Sequence, residues 1–554
     1  MGKRIEIKIK NNDIITEYPL GTSLQEIMHD QKIETKYPIV GAMVNNELEE
    51  LSYEIFKSKT IKFIDITHQD GMRMYIRSLS FMLMKAIKDL YPNVQLRIEH
   101  SVSNGYFCEL IGEGFITDLN VISDIESRMR EIVEEDIPFI RRDILNKDAI
   151  NIFKKNNYHE KARLFSQSTS LYTSIYTLGN LNDYFYGYLV PSTGYLKVFD
   201  LVQMYNGMLL RIPERKKPNH LRPIVLQDKM FDVFREHQRW AHILNAKDIG
   251  LVNEQVIAGY GGELIKLAEA LHEKKIAQLA ELIKSRENVK LILVSGPSSS
   301  GKTTFSKRLD IQLKVAGMHP VQISLDNYFV DRDKTPLDEN GDYDFESIDA
   351  LDLETFNQNI IDLNEGKTVE IPKFSFETGN RFFDGSTLKI HKGTIIIVEG
   401  IHALNPKLSE RIDDALKFKI YVSALTQIGI DGHNRIPTTD NRLLRRIIRD
   451  HKYRGYSALD TLKRWSSVRR GEEKNIFPYQ ENADVMFNSA LLYELGVIKK
   501  HAEPLLKEIW QTEPEYAEAA RLLKFLSYFK DIPEKEIPPT SILREFLSDS
   551  SFHY

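Results

Sequence analysis

The chain reads as a multidomain α/β protein whose carboxy-terminal half is a doubly wound parallel sheet. Three observations carry that reading. An apolar, β-branched run, Val289-Lys-Leu-Ile-Leu-Val-Ser-Gly296, stops at glycine, passes through small residues and enters the helical pattern Phe305-Ser-Lys-Arg-Leu309-Asp-Ile-Gln-Leu313. Further buried-type strands recur at 321–325, 394–398, 418–422 and 485–489. Upstream the pattern changes to short alternating strands, and 554 residues are too many for one core, so about three or four units are expected.

The loop after the first strand spells G-x-x-x-x-G-K-T: Gly296, Pro297, Ser298, Ser299, Ser300, Gly301, Lys302 and Thr303, with Thr304 following. Such a loop wraps backbone N–H groups around phosphates and aims a helix N-terminus at them, and it supplies a lysine and a magnesium-binding hydroxyl. An ordinary glycine-rich turn is the competing reading; the strand before and the helix after weigh against it. A nucleotide phosphate site is the expectation.

With 42% hydrophobic and 28% charged residues and a net charge of −5, a soluble globular chain is expected. No apolar run reaches membrane-spanning length, so no membrane partner is expected, and the alternating start Met1-Gly-Lys-Arg-Ile-Glu-Ile-Lys-Ile-Lys10 reads as a strand rather than a signal peptide. The single cysteine, Cys108, rules out an intramolecular disulfide and fits a reducing, cytoplasmic setting. With no His or Asp context, it is read as packing rather than as a nucleophile.

Residues 1–70 alternate in strands (Ile5, Ile7, Ile9; 39–44; 61–66) around one short helix near Thr22-Ser-Leu-Gln-Glu26, where Thr22 or Ser23 can cap. This is the order of a ubiquitin-like β-grasp module, and with Tyr18-Pro-Leu-Gly-Thr22 it resembles the TGS domain that begins threonyl-tRNA synthetases. In residues 71–212, Ala86-Ile-Lys-Asp-Leu-Tyr-Pro92 and Ser103-Asn-Gly-Tyr-Phe107 are similar to phrases of the α+β editing-type domain of threonyl- and alanyl-tRNA synthetases. That domain holds zinc through a His-x-x-x-His pair and a Cys-x-x-x-His pair. The matching positions here are Arg77, Phe81, Val202 and Asn206, non-ligands or, for asparagine, a poor one. The resemblance therefore implies the fold without zinc and without hydrolysis of mischarged tRNA.

Residues 1–70 hold 9 Lys+Arg against 12 Asp+Glu, and residues 71–212 hold 16 against 16. Phosphate-backbone binding needs a basic face, so RNA binding by this half is not favoured; a patch around Arg141, Arg142 and Lys147 is the alternative. The cluster Tyr172, Tyr176, Tyr184, Phe185, Tyr186 and Tyr188 has strand-like spacing and reads as core. Pro213 to Pro223 is charged and proline-punctuated, a crossing between units. Helical patterns follow at 227–245 and 262–284, so 213–285 reads as a helical linker and 286–554 as the phosphate-loop unit with a helical extension.

Strand 321–325 ends at Asp326 and strand 394–398 at Glu399. In a doubly wound sheet, strand carboxyl ends gather at the ligand crevice. There Asp326 can orient and deprotonate a hydroxyl or hold Mg²⁺ through water, a helix cap being the competing reading. Glu399 is the acid expected beside the loop for magnesium. Arg442, Arg445 or Arg446, and Arg449 recur at helical spacing opposite Leu443, Leu444, Ile447 and Ile448. A solvated basic face is the usual explanation; a lid that neutralises phosphate charge is the other.

From 289 to about 500 the chain resembles the uridine–cytidine kinase and phosphoribulokinase family of P-loop kinases. The phrases occur in family order: Gly296 to Thr304, Asp326-Asn-Tyr328-Phe, Tyr343-Asp-Phe345-Glu346, Pro372-Lys-Phe374-Ser-Phe376, Val398-Glu399-Gly-Ile, Arg445-Arg446-Ile-Ile-Arg449-Asp450 and Ala483-Asp-Val485. The resemblance implies ATP and Mg²⁺ on Lys302, Thr303 and Glu399. It implies Asp326 as base for a sugar 5′-hydroxyl, and Arg446, Arg449 and Arg454 as lid arginines. Around the acceptor it implies Tyr328, Phe345, Glu346, Phe374, Phe376, Arg381 and Arg454, with Glu346 in place of the family's ribose-binding Asp.

The departures lie where the base is read. Phe374 stands where the pyrimidine kinases carry Tyr, and Gly379 where they carry His, so a more apolar and roomier pocket is expected, with relaxed base selectivity or a non-pyrimidine acceptor. The long segment 425–438 is expected to complete recognition, and Tyr456 replaces a further lid arginine. The expected function is ATP-dependent phosphoryl transfer to the 5′-hydroxyl of a nucleoside. A kinase for another small acceptor such as a sugar phosphate, and a nucleotide-gated RNA- or ribosome-associated regulator, are the alternatives. The oligomeric state is left open.

Overall fold

The strand Leu291–Ser295 is buried at every residue, as a run without polar alternation requires, and it lies at the centre of a five-stranded parallel sheet. The order across that sheet is His319–Ser324, Thr394–Glu399, Leu291–Ser295, Lys417–Ser423, Val485–Asn488. Its alternate residues face two cores: Ile292 and Val294 share one with Phe305, Leu309 and Ile276, and Leu291 and Leu293 share the other with Ile323, Phe356 and Ile360. The structure is a computed structural model that describes residues 4–339, 341–375, 377–426 and 428–553. Among them, no helix is long and apolar enough to cross a membrane.

Upstream, Ile14–Pro19, Arg4–Ile9, Lys59–Asp65, Ile39–Val44 and Glu47–Glu49 form a mixed sheet, with Arg4–Ile9 parallel to Lys59–Asp65. The helix Leu24–Asp30 starts at a reciprocal Ser23/Glu26 capping box. The helix Gln69–Leu90 follows, with a four-stranded antiparallel sheet (Asp200–Met204, Gly207–Arg211, Gly105–Ile111, Gln95–Val102) and a three-stranded one (Ile140–Leu145, Tyr172–Leu178, Leu181–Asp183). Tyr176, Tyr184, Phe185 and Tyr186 are core residues and Tyr188 is partly buried, whereas Tyr172, read with them as core, is exposed; burial pushes the Cys108 thiol up.

Three expectations change. The crossing at 213–223 is a hairpin of Pro213–Glu214 with Lys217–Leu221. The stretch read as a linker is instead wedged between the halves and holds a third helix, Ile249–Ile257. Its helix Asp228–Ile243 stacks Phe234 on His100 and Phe231 on Tyr205, both at 3.7 Å, while Lys229 donates to the Ala483 carbonyl at 2.5 Å. The described residues 428–438 of the segment 425–438 are turned to the amino-terminal half rather than to an acceptor. The Gly432 carbonyl accepts from Ile98 N–H (2.9 Å) and the Asn434 amide donates to the Tyr184 carbonyl (3.0 Å).

That junction buries charge. The Lys161 ammonium is held by Asp183 and lies 3.6 Å from Asp431, and His433 Nδ1 lies 2.8 Å from Asp183 Oδ2. Against the cost of burial, Lys161 and His433 keep the Asp183 carboxyl below its ordinary value. A second chain of ion pairs crosses nearby: Arg73 to Glu518 (2.6 Å), Glu518 to Arg521 (2.7 Å), Arg521 to Asp440 (2.7 Å). Removing one member of a buried pair strands the other. Asp183→Ala should therefore destabilise the full chain by about 3–5 kcal/mol in urea unfolding, with Lys161→Met restoring part of the loss. An Asp183→Ala protein as stable as the parent would show that Asp183 is not what neutralises Lys161.

Candidate active site

Gly296 closes the central strand where no side chain fits, since a Cβ would lie 1.9 Å from the Val422 carbonyl oxygen. Gly301 sits at φ +82° and hands the chain to the helix Lys302–Val315. Between them the loop is held by side chains from elsewhere. Ser298 N–H donates to Glu472 (3.1 Å), and the Ser298 hydroxyl accepts from Arg446 (2.8 Å). Lys302 donates back to the Pro297 carbonyl at 3.3 Å. The hydroxyls of Ser299 and Ser300 are buried without a hydrogen-bond partner among the described residues.

An anion already occupies the helix N-terminus. The Glu545 carboxylate accepts from the Thr304 N–H (3.2 Å) and from its hydroxyl (2.7 Å). These oxygens stand in for those of a phosphate, which such a terminus binds through the same donors. The turn Ile542–Glu545 that carries the carboxylate lies on the loop, with Ile542 Cγ2 2.5 Å from where a Cβ of Gly301 would be. Phe546 lies under the Arg445 guanidinium at 5.1 Å, and the Leu547 carbonyl accepts from Tyr453 at 3.2 Å.

Three carboxyls and four cations face one another beyond the loop. Burial raises Asp326 above its ordinary value, against Lys302, Arg454 and Arg449. Burial and the charge of Asp326 push Glu399 up to about 7, against Lys302. Glu399 accepts from Ser324 (3.2 Å) and Thr303 (3.4 Å), so the loop hydroxyl and this acid present hard oxygen donors side by side. Burial and Glu472 push Glu346 up to about 7, against Arg446 and Lys302. Arg446, Arg449 and Arg454 share Asp450, at 3.1, 2.9 and 3.6 Å. Burial and Arg449 depress the Arg454 guanidinium to about 10.

Several expectations need correction. Arg442 and Arg445 are not on a solvated basic face; they are fully buried on Glu472 (2.6 Å) and Glu494. Tyr328 is turned into the core, its hydroxyl taking the Asn359 amide at 3.1 Å and its ring edge-on to Phe356. The space opposite Gly379 is not roomy: this glycine has φ +74°, and a Cβ would lie 2.6 Å from Arg332 Nε. Phe374 packs with Phe329 at 5.6 Å, Phe345 is exposed beside Tyr343, and Arg381 donates to Asp352 at 2.6 Å. Phe376 lies outside the described residues. Tyr456 receives the Arg464 guanidinium on its ring at 4.2 Å. At the zinc-type positions, Arg77 donates to the Tyr188 carbonyl (2.8 Å), Phe81 is core, Val202 is partly buried and Asn206 donates to Glu109 (3.1 Å). Sequence reasoning missed Glu545, Glu472 and Arg332, none of which belongs to a motif.

Glu346 supplies a pH test. A carboxyl that stays protonated in the fold up to about 7 but ionises at 4.5 once unfolded makes the fold less stable as pH rises through that window. The parent should lose about 3 kcal/mol across it by this group, and Glu346→Gln should abolish that loss. In denaturant titrations the variant should exceed the parent at alkaline pH and match it at acid pH. An identical pH profile for the two proteins would contradict the assignment.

Residues 291–492 match the family model described as Phosphoribulokinase / Uridine kinase family. The amino-terminal half is similar to threonine–tRNA ligases. The match to that of Desulforamulus reducens is 28% identical over 214 residues, covering 38% of this chain and 33% of the ligase. The match to that of Porphyromonas gingivalis is 25% identical over 222 residues, covering 40% and 34%. The chain thus spans about a third of the length of the curated relatives it matches. A solved D-glycerate 3-kinase from Cryptococcus neoformans overlaps at 13% identity over 48% of this chain and 89% of its own, with a TM-score of 0.23. Behind a half similar in sequence to threonine–tRNA ligases, residues 291–492 are a domain of the phosphoribulokinase / uridine kinase family.

Proposed function

We propose that the chain is an ATP-dependent kinase that phosphorylates the 5′-hydroxyl of a nucleoside. The observation that carries this reading is the convergence of the phosphate loop, Asp326 and the arginines of helix Thr438–Arg454. Lys302 and the loop N–H groups hold the nucleotide phosphates, and Thr303 with Glu399 suits Mg²⁺. Bound Mg²⁺–ATP supplies the transferable phosphoryl group. Asp326 accepts the acceptor's hydroxyl proton, a task its raised proton affinity favours. Arg446, Arg449 and Arg454 neutralise charge on the phosphoryl oxygens.

The acceptor side supports a narrower reading. Arg332 fills the position opposite Gly379 and carries only donors, so it matches bases whose edges accept. The same cation favours, as a second reading, an acceptor that carries phosphate, such as a sugar phosphate. Acceptor-dependent ADP formation across a panel of nucleosides and sugar phosphates decides between them, and no acceptor-dependent turnover would refute both. Asp326→Asn should spare ATP binding and lower turnover by about 10²-fold or more, whereas Lys302→Ala should weaken both.

Glu545 competes for the donors that ATP needs. A charge-assisted pair of this kind contributes about 1.5–3 kcal/mol, so Glu545→Ala should tighten ATP binding by about 10-fold or more while lowering the stability of the nucleotide-free protein. Unchanged or weaker ATP affinity in that variant would show that the carboxylate does not occupy the phosphate position.

A further inference from the structure

A second cavity, of about 350 Å³, lies between the halves and away from the phosphate loop. Its walls come from strand Gln95–Val102, helix Asp228–Ile243, Thr426 and the segment 428–435. Arg97, Arg235, Arg239, Lys247 and Arg435 line it. Three acids share its walls: Glu99 lies 3.4 Å from Arg97, Asp431 lies 3.6 Å from Lys161, and Glu109 accepts from the Asn206 amide at 3.1 Å. Arg235, Arg239, Lys247 and Arg435 have no ion pair or side-chain hydrogen bond among the described residues. Arg435 Nε and Thr426 Oγ1 are buried without a partner, and the Arg435 guanidinium lies 6.0 Å from the centre of the Tyr106 ring.

Five cations outnumber the three carboxylates of the lining, and cations in excess repel one another, more strongly as water is excluded. Guanidinium forks match phosphate oxygens two at a time. A cavity of this volume falls within the span of small-ligand pockets, about 300–1,000 Å³. We propose that it binds a phosphorylated small molecule, held by Arg235, Arg239, Lys247 and Arg435. Arg435 lies just before helix Thr438–Arg454, so a ligand there touches the lead-in to the helix that carries Arg446, Arg449 and Arg454. An effect of the ligand on turnover rests on the kinase reading above; its binding does not.

The test is isothermal titration of the full chain with inorganic pyrophosphate while the phosphate loop is saturated with a non-hydrolysable ATP analogue. One pyrophosphate site should remain. Arg235→Glu combined with Arg239→Glu should weaken it at least tenfold and leave analogue binding unchanged; both side chains are exposed, and Lys247→Glu provides an independent variant. Loss of all pyrophosphate binding once the analogue is present, or indifference to the charge reversals, would overturn the proposal. If the analogue itself does not bind, the kinase reading falls, and the charge-reversal variants alone decide this one. An RNA stem-loop that binds more tightly than pyrophosphate and is lost in the same variants would overturn the small-molecule assignment.

Discussion

Two buried ion pairs fix the helix on which the candidate site depends. Arg442 forks onto Glu472 at 2.9 and 2.6 Å, and Arg445 reaches Glu494 through Nε at 3.2 Å. Each pair brings charge out of water at a cost of several kcal/mol per ion, so the geometry must satisfy both at once. Residues three apart on a helix share a face. Pinning that face leaves one rotation about the helix axis, and in it Arg446 meets Ser298 of the phosphate loop. The site's cations are thus preorganised by their buried neighbours. Glu472 extends the same network into the loop through Ser298 N–H.

The helix is also held from its other end, and there the amino-terminal half enters. Asp440 in its first turn receives Arg521, which is joined through Glu518 to Arg73 on the helix Gln69–Leu90. The segment leading into the arginine helix is threaded into the sheets of that half by Gly432, His433 and Asn434. Where the synthetase-type domain would place metal ligands, Arg77 instead ties to the Tyr188 carbonyl and lies so close to Gly187 that a Cβ there would meet Arg77 Cζ at 2.5 Å. Arg77 is here a packing and hydrogen-bonding residue.

The strand, loop and helix from 289 to 313 were legible because each is set by local pattern: an apolar run, glycines where backbones approach, then helical spacing. Asp326 and Glu399 were legible because a parallel sheet delivers strand ends to one edge. The arginines were legible as a group but not one by one. Arg442 and Arg446 are the same residue on the same helix, and only carboxylates supplied from residues 472 and 494 decide which is buried. Gly379 misled for a related reason: a missing side chain implies space only if nothing else moves in, and Arg332 does. The length of 425–438 was visible and its destination was not, because its partners, Ile98, Asp183 and Tyr184, are some 250 or more residues away in sequence.

The buried charges at the junction bear on how the two halves can change over time. Lys161 and Asp183 come from one half, and Asp431 and His433 from the other. A recombination that replaced the amino-terminal half with a relative's counterpart would bring a matching fold and leave Asp431 without Lys161, a penalty comparable to much of a domain's stability. Single substitutions at these four positions meet the same barrier, whereas paired ones that restore neutrality do not. Once fused in this way, the halves are committed to drift as one unit, and compensating exchanges are to be sought at this seam rather than at the phosphate loop.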